Sequence, residues 1–101
     1  MMDPLTLALA CAVQLSGIPD HGAPLPHWEA RELTPEERVL TNRPRNARAM
    51  YDWRTLTIVS PSGDWPGLVH EMVHHLQFMA GLPFDEGPAE AVEAKAGECP
   101  K

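Results

Sequence analysis

The sequence predicts a small α+β domain, in which a short antiparallel sheet packs on two helices that follow it and a further helix lies at the N-terminus. Three observations lead to this fold class. An amphipathic helical pattern covers residues 68–77, two short alternating segments precede it, and capping signals mark helices on either side. The 101 residues are expected to form one domain, 1–101, with a modest core, because small chains bury less of their surface.

Local signals predict two helices in the first half of the chain. Asp3 is expected to cap a helix that has Pro4 in its first position and runs to about Leu15. Thr34 and Glu37 have the spacing of a capping box, which predicts a short second helix. The other elements predicted before the central helix are an edge strand at 27–33, a turn at 42–46 and strands at 47–53 and 56–60.

The central helix is the best specified element. Asp64 is a candidate N-cap, Pro66 fits a first turn, and Gly81 is a candidate stop residue just past the C-terminus. Apolar residues gather on one broad arc of this helix, and histidines occupy a separate face beside it. The apolar arc is expected to anchor the helix in the core while the histidine face borders a cleft.

The histidine face carries the motif H-E-x-x-H, formed by His70, Glu71 and His74. Residues four apart on a helix lie about 40° apart around its axis, so both imidazoles can reach one ion. Glu71 lies beside that pair, where a general base for a metal-bound water is needed. We interpret His70 and His74 as Zn²⁺ ligands and Glu71 as the catalytic base.

A catalytic zinc site needs a third protein ligand and an open position for water. A last helix, expected from Pro88 to about residue 96, can fold back antiparallel on the central helix and bring a carboxylate. Glu93 is the preferred third ligand, and Glu90, one turn earlier, is the alternative. Asp85 and Glu86 are expected to lie too near the turn to reach back.

Two further residues are candidates for transition-state support. Neither a histidine nor a tyrosine follows His75 in the chain, so His75 itself and Tyr51 are the residues available for this role. The alternative for His75 is a structural one, in which its ring bonds a backbone carbonyl. The strand at 56–60 is expected to offer its edge to an extended substrate.

At these residues the chain resembles a known family. The motif H-E-x-x-H-H-L-Q at 70–77, followed by E-x-x-A at 93–96, is similar to the motifs of the short gluzincin-type zinc peptidases of bacteria and phages, the minigluzincin-like metallopeptidases. The resemblance covers about 47–96 and implies a single domain of this type. It implies that His70, His74 and Glu93 bind Zn²⁺ and that Glu71 is the general base. The family's last helix usually continues, whereas residues 97–100 end it here.

Composition and charge indicate which binding partners and which cellular location to expect. A net charge of −6 argues against nucleic acid. No lysine or arginine lies between Pro61 and Ala94, which suits a cation. The apolar run at 5–13 is too short to span a membrane and lacks a basic leader, so we expect a cytoplasmic protein, with export as the alternative. Cys11 and Cys99 are expected to be free thiols or, in an exported protein, one disulfide.

The sequence therefore predicts a zinc-dependent metallopeptidase that hydrolyses a peptide or protein substrate with a metal-activated water and Glu71 as general base. Two alternatives remain open. One is a non-catalytic zinc-binding domain with an interaction or structural role, and the other is a zinc-free helical interaction module. The presence of Glu71 favours the enzyme, whereas the lack of a downstream oxyanion partner favours the non-catalytic domain.

Overall fold

The computed structural model describes residues 3–40 and 48–99 and confirms the α+β class. Within these ranges it has four α-helices, one 3₁₀ turn and a three-stranded sheet. In chain order they are α1 Pro4–Ser16, β1 His27–Ala30, α2 Pro35–Leu40, β2 Met50–Asp52, β3 Thr57–Ser60, α3 Trp65–Met79, α4 Glu86–Lys95 and the 3₁₀ turn Ala96–Glu98. The turn predicted at 42–46 lies outside the described residues. None of the described helices combines the length and the apolar character that crossing a membrane requires.

Side-chain caps begin α1, α2 and α3 where the sequence predicts them. Asp3 Oδ1 accepts a hydrogen bond of 3.0 Å from a backbone N–H of the first turn of α1. Thr34 and Glu37 exchange the two bonds of a capping box, at 2.9 and 3.1 Å. Asp64 Oδ1 accepts from Gly67 N at 3.0 Å. A Cβ at residue 67 would lie 2.2 Å from Asp64 Oδ2, so the glycine lets this cap close.

α4 begins two residues earlier than predicted. The sequence placed its start at Pro88, but Asp85 caps the helix, with its side chain accepting a bond of 3.0 Å from Gly87 N. Pro88 is accommodated because the N–H groups of a first helical turn have no acceptor within the helix. The earlier start puts Glu86 on the helix instead of in the preceding turn.

The sheet is mixed and not purely antiparallel, which corrects the prediction. Its strand order is β1-β3-β2, with β2 antiparallel and β1 parallel to β3. The chain between β1 and β3 contains α2 and β2, which is long enough for the crossover that parallel pairing needs. β3 is therefore the central strand, and the prediction that its edge pairs with an extended substrate is wrong.

α3 is the element around which the others pack. It contacts α1 and α4 on its sides and both β2 and β3 of the sheet. Its apolar arc is at most 2% exposed and forms most of the core with Ile58 of β3. The members of this arc are Leu68, Val69, Met72, Val73 and Leu76. The face that remains between α4 and the sheet is the histidine face.

A disulfide closes the structure between its two ends. Cys11 of α1 and Cys99 after the 3₁₀ turn are bonded, with their Cα atoms 5.7 Å apart. The sequence left free thiols and a disulfide open, and the structure has the disulfide. Nearby, Trp65 Nε1 donates a hydrogen bond of 2.8 Å to the carbonyl of Ala96. Together these two links hold the end of α4 against α1 and the start of α3.

We expect reduction of the disulfide to lower the free energy of unfolding by about 2–5 kcal/mol, because a link across 88 residues restricts the unfolded chain. Urea unfolding with and without reductant measures the difference. The Cys11→Ala/Cys99→Ala double variant is the control. It should unfold at the same urea concentration as the reduced wild type, and its midpoint should not change when reductant is added. An unchanged midpoint on reduction would contradict the stabilising role.

A second prediction concerns the start of α2. Arg31 donates two bonds to the carboxylate of Glu37, at 2.7 and 2.9 Å, and the guanidinium together with the Thr34 backbone N–H lowers the pKa of Glu37 from 4.5 to about 2. Because the folded-state pKa lies below the unfolded value, this stabilisation is complete above pH 4.5 and is lost as the pH falls through about 2.

Glu37→Gln is therefore expected to lower the free energy of unfolding at neutral pH by about 0.5–1 kcal/mol. The difference from wild type should shrink as the pH is lowered from 4.5 toward 2. Urea titrations over this pH range measure it, with the exposed neighbour Glu36→Gln as control. A difference that stays constant across the range would show that the ion pair is not its source.

Candidate metal site

α3 presents the motif histidines together at the border of a cleft. The rings of His70 and His74 lie one turn apart, with centroids 5.1 Å from each other and planes inclined at 65°. Both side chains are nearly buried, with 4% and 5% of the residue exposed, and Glu71 between them is 1% exposed. The helix thus brings the three motif residues to one place, as the i, i+4 spacing predicts.

The carboxylate that faces both imidazoles is that of Glu86, from the first turn of α4. Its Oε1 lies 2.9 Å from His70 Nε2 and 3.1 Å from His74 Nε2. Ligand atoms around one tetrahedral zinc ion lie about 3.3 Å apart, given bonds of about 2.0–2.1 Å. All three atoms are within 4.8 Å of one another, and among the described residues this is the group that could hold a metal ion.

Glu93, the preferred third ligand of the sequence analysis, lies on the other side of the His70 ring. Its Oε1 is 2.5 Å from His70 Nδ1, whereas Glu86 faces Nε2 of the same ring. A carboxylate on the far nitrogen of a ligand histidine fixes the tautomer and the orientation of the ring. Glu90, the alternative ligand, has an exposed side chain on α4 and is not part of the group of three.

Gln77 fixes the tautomer and orientation of the His74 ring, as Glu93 does for the His70 ring. Its Oε1 lies 2.9 Å from His74 Nδ1 and also accepts a bond of 3.2 Å from the backbone N–H of Asp85. Its Nε2 donates a bond of 3.0 Å to the carbonyl of Asp85, which defines which end of the amide is oxygen. His74 Nδ1 must therefore carry the proton and donate it to Gln77.

These contacts determine which nitrogen of each ring faces Glu86 and whether that nitrogen carries a proton. With the proton on Nδ1, a neutral imidazole presents the lone pair of Nε2. Both Nε2 atoms face Glu86 Oε1, which is also an acceptor. Two imidazole lone pairs and a carboxylate oxygen this close repel one another unless positive charge lies between them. Two imidazole nitrogens and one carboxylate oxygen are a donor set that can hold a metal ion such as Zn²⁺.

Tyr51 and His75 form a separate hydrogen-bonded chain. His75 Nε2 donates a bond of 2.8 Å to the carbonyl of Pro24, so its Nδ1 accepts the Tyr51 hydroxyl at 2.8 Å. Burial lowers the pKa of His75. Burial, with the nearby charge of Asp52, raises the pKa of Tyr51 to about 12. In this arrangement the Tyr51 proton is directed at His75, and both nitrogens of His75 are occupied.

A cleft of about 460 Å³ opens in front of the metal-competent group. Glu71, His74 and Glu86 line it together with the residues of β2. The site therefore has an acid beside the histidines and a space that a substrate can enter. This is the arrangement that a metal-assisted hydrolysis requires.

Glu86 is the site residue that sequence reasoning missed. From the sequence, Glu86 is expected to lie too near the turn to reach back. The signal that could have found it is Asp85, a capping residue type placed immediately before it. A helix that starts at residue 86 has its first carboxylate next to the end of α3.

Comparison of the chain with family models, with curated proteins and with solved structures returned no match. Functional assignment of the site therefore rests on the distances and contacts described above.

We expect the protein to bind one Zn²⁺ per chain, and Glu86→Gln to weaken binding more than Glu93→Gln. Loss of an outer partner such as Glu93 typically weakens metal affinity about 10–100-fold. Competition with a chromophoric chelator measures the affinities. Glu90→Gln, on the same helix, is the matched control and should stay within about twofold of wild type. A larger loss with Glu93→Gln than with Glu86→Gln would make Glu93 the third ligand.

Proposed function

We propose that this protein is a zinc-dependent peptidase of the short gluzincin type. One observation carries the proposal: the Nε2 atoms of His70 and His74 and the Oε1 of Glu86 converge beside Glu71, at the end of an open cleft. The donor set fits Zn²⁺, and a purely structural zinc site has no need of an acid at the position of Glu71. The resemblance of the 70–77 motif supports the same function.

Each residue has a defined role in the proposed reaction. His70, His74 and Glu86 would hold the ion, while Glu93 keeps the His70 ring in its tautomer. When bound there, Zn²⁺ would supply Lewis-acid chemistry, activating a water and polarising the substrate carbonyl. Glu71 would accept a proton from the water as its oxygen bonds to the carbonyl carbon, and would give that proton to the amine nitrogen as the peptide C–N bond breaks. The substrate is a peptide or a protein, which reaches these residues through the cleft.

A non-catalytic zinc-binding domain is the alternative, and one observation favours it. The Tyr51 hydroxyl donates to His75, so the proton that could support an oxyanion is already engaged. If Tyr51 assists the transition state, it must first give up this bond. The alternative differs from the peptidase in one measurable property, since it binds zinc without cleaving peptides.

The location of the protein also remains a proposal. A cytoplasmic protein is the expectation of the sequence analysis. The disulfide between Cys11 and Cys99 favours export instead, because disulfides persist in oxidising compartments and are rare in the cytosol. Fractionation of the native source, with the thiol state of both cysteines read by alkylation, distinguishes the two.

We expect Glu71→Gln to lower kcat/KM on a mixed peptide library about 10²–10⁴-fold while Zn²⁺ affinity is retained, because the substitution removes the proton acceptor and no ligand. His70→Ala should abolish both properties. Glu90→Gln is the control variant and should keep both. Zinc binding without cleavage by the wild type would support the non-catalytic domain, and absence of zinc binding would leave a zinc-free helical module.

A further inference from the structure

Three aromatic side chains form an exposed wall beside the candidate site. The rings of Phe78 and Phe84 are parallel within 4°, with centroids 6.3 Å apart, and Trp53 lies 5.8 Å from Phe78. The exposed fractions are 50% for Trp53, 49% for Phe84 and 36% for Phe78. We refer to Trp53, Phe78 and Phe84 as the aromatic wall.

The wall contains the aromatic members of the exposed apolar surface of the described residues, which also includes Leu25, Val39, Leu40, Met79 and Leu82. Both phenylalanines of the protein lie in the wall, while the buried core cluster consists of aliphatic side chains, one methionine and the two bonded cysteines. An aromatic side chain can bury about 150–250 Å² of surface. Two partly exposed phenylalanines therefore contribute less hydrophobic stabilisation to the fold than two buried ones would. Exposed apolar patches of this kind mark binding sites.

The wall continues directly into the candidate metal site. Phe84 packs edge-on against His74, with ring centroids 5.6 Å apart and planes at 69°, and lies 6.3 Å from Tyr51. Trp53 and Phe84 line the same cleft as Glu71 and His74. A molecule that fills this cleft therefore contacts these two aromatic rings as well as His74.

The charges that line the cleft indicate which kinds of ligand side chain can bind beside the wall. Arg54 is the cation among the described residues that line the cleft, and it is paired with Asp52, with Nε and Oδ1 3.1 Å apart. Glu71 and Glu86 also line the cleft. The cleft thus disfavours acidic side chains, while the wall offers apolar contact and ring faces.

We propose that Trp53 and Phe84 form a specificity pocket for an aromatic or large aliphatic side chain of the peptide substrate, next to the bond that is cleaved. This inference rests on the proposed peptidase function and names its substrate class. Phe78 supports the pocket by stacking on Phe84 and contacting Trp53 from the end of α3. Because His74 touches Phe84, the residue bound in the pocket is adjacent to the reacting carbonyl.

The test uses the zinc-loaded protein and peptides that differ at one position only, carrying Phe, Leu, Ala or Asp. The wild type is expected to have a kcat/KM at least about tenfold higher for Phe than for Ala, the scale of discrimination by apolar pockets. Phe84→Ala and Trp53→Ala should each reduce that ratio several-fold, and Phe84→Leu should shift preference among the large apolar residues. An unchanged ratio in both alanine variants overturns the pocket.

Leu82→Ala is the matched control. Leu82 lies in the same turn as Phe84 and is similarly exposed, at 47%, but does not line the cleft. This variant should keep the activity and the preference of the wild type. A ratio that falls equally in Leu82→Ala would mean that the turn as a whole, and not the ring of Phe84, sets the preference, which also overturns the pocket.

A binding measurement separates failure of the pocket from failure of the peptidase. Calorimetric titration of the Glu71→Gln variant with the same peptides does not depend on cleavage. Tighter binding of the Phe peptide, lost in Glu71→Gln/Phe84→Ala, supports the pocket even if the wild type cleaves nothing and the peptidase proposal fails. The pocket is overturned if all four peptides bind equally and sedimentation shows a dimer of the protein that becomes monomeric in Phe84→Ala. That result would make the wall an interface between two copies of the chain.

Discussion

The amide of Gln77 is the contact on which the geometry of the site depends. It lies at the end of α3, is 2% exposed, and joins the ring of His74 to both backbone groups of Asp85. Asp85 in turn caps α4. One buried side chain therefore orients an imidazole and determines where the next helix begins. Because α4 begins at that point, the carboxylate of Glu86 lies in front of both histidines.

The electrostatics of the site follow from this placement. His70, His74 and Glu71 are almost fully buried, and carboxylates approach the His70 ring from two sides. Burying polar groups costs free energy unless each is hydrogen-bonded or paired. The outer nitrogen of each ring has such a partner, whereas the inner nitrogens converge on a third acceptor. A divalent cation would turn that repulsion into three favourable contacts, which is why the donor set is more readily understood as a metal site than as core packing.

Local signals made most of the helical framework predictable. The Asp3 and Asp64 caps and the Thr34–Glu37 capping box each depend on residues within three positions, and all three form. The H-E-x-x-H pair depends on one helical turn, so its convergence could also be predicted. These features need no knowledge of the rest of the fold.

Features that depend on distant contacts could not be predicted in the same way. The parallel pairing of β1 with β3 depends on how the chain crosses over between them. The Cys11–Cys99 bond joins residues 88 apart, and sequence spacing alone left the thiol and disulfide forms open. The position of Glu86 is marked locally by the Asp85 cap, but its approach to the histidines also depends on a tertiary contact, the side chain of Gln77 with the backbone of Asp85.

The turn between α3 and α4 links the candidate metal site with the aromatic wall. Residues 80–85 carry Phe84 toward His74, and the cap that ends the turn carries Glu86 toward the inner nitrogens. Shortening this turn by one residue would move the start of α4 relative to α3 and would displace the carboxylate and the ring together. The acid that would complete the proposed ion site and the ring that would select the substrate are therefore positioned by one backbone path. Under both proposals, a change in substrate preference that leaves the metal site intact is expected from substitution of Phe84 or Trp53, and not from a change in the length of the turn.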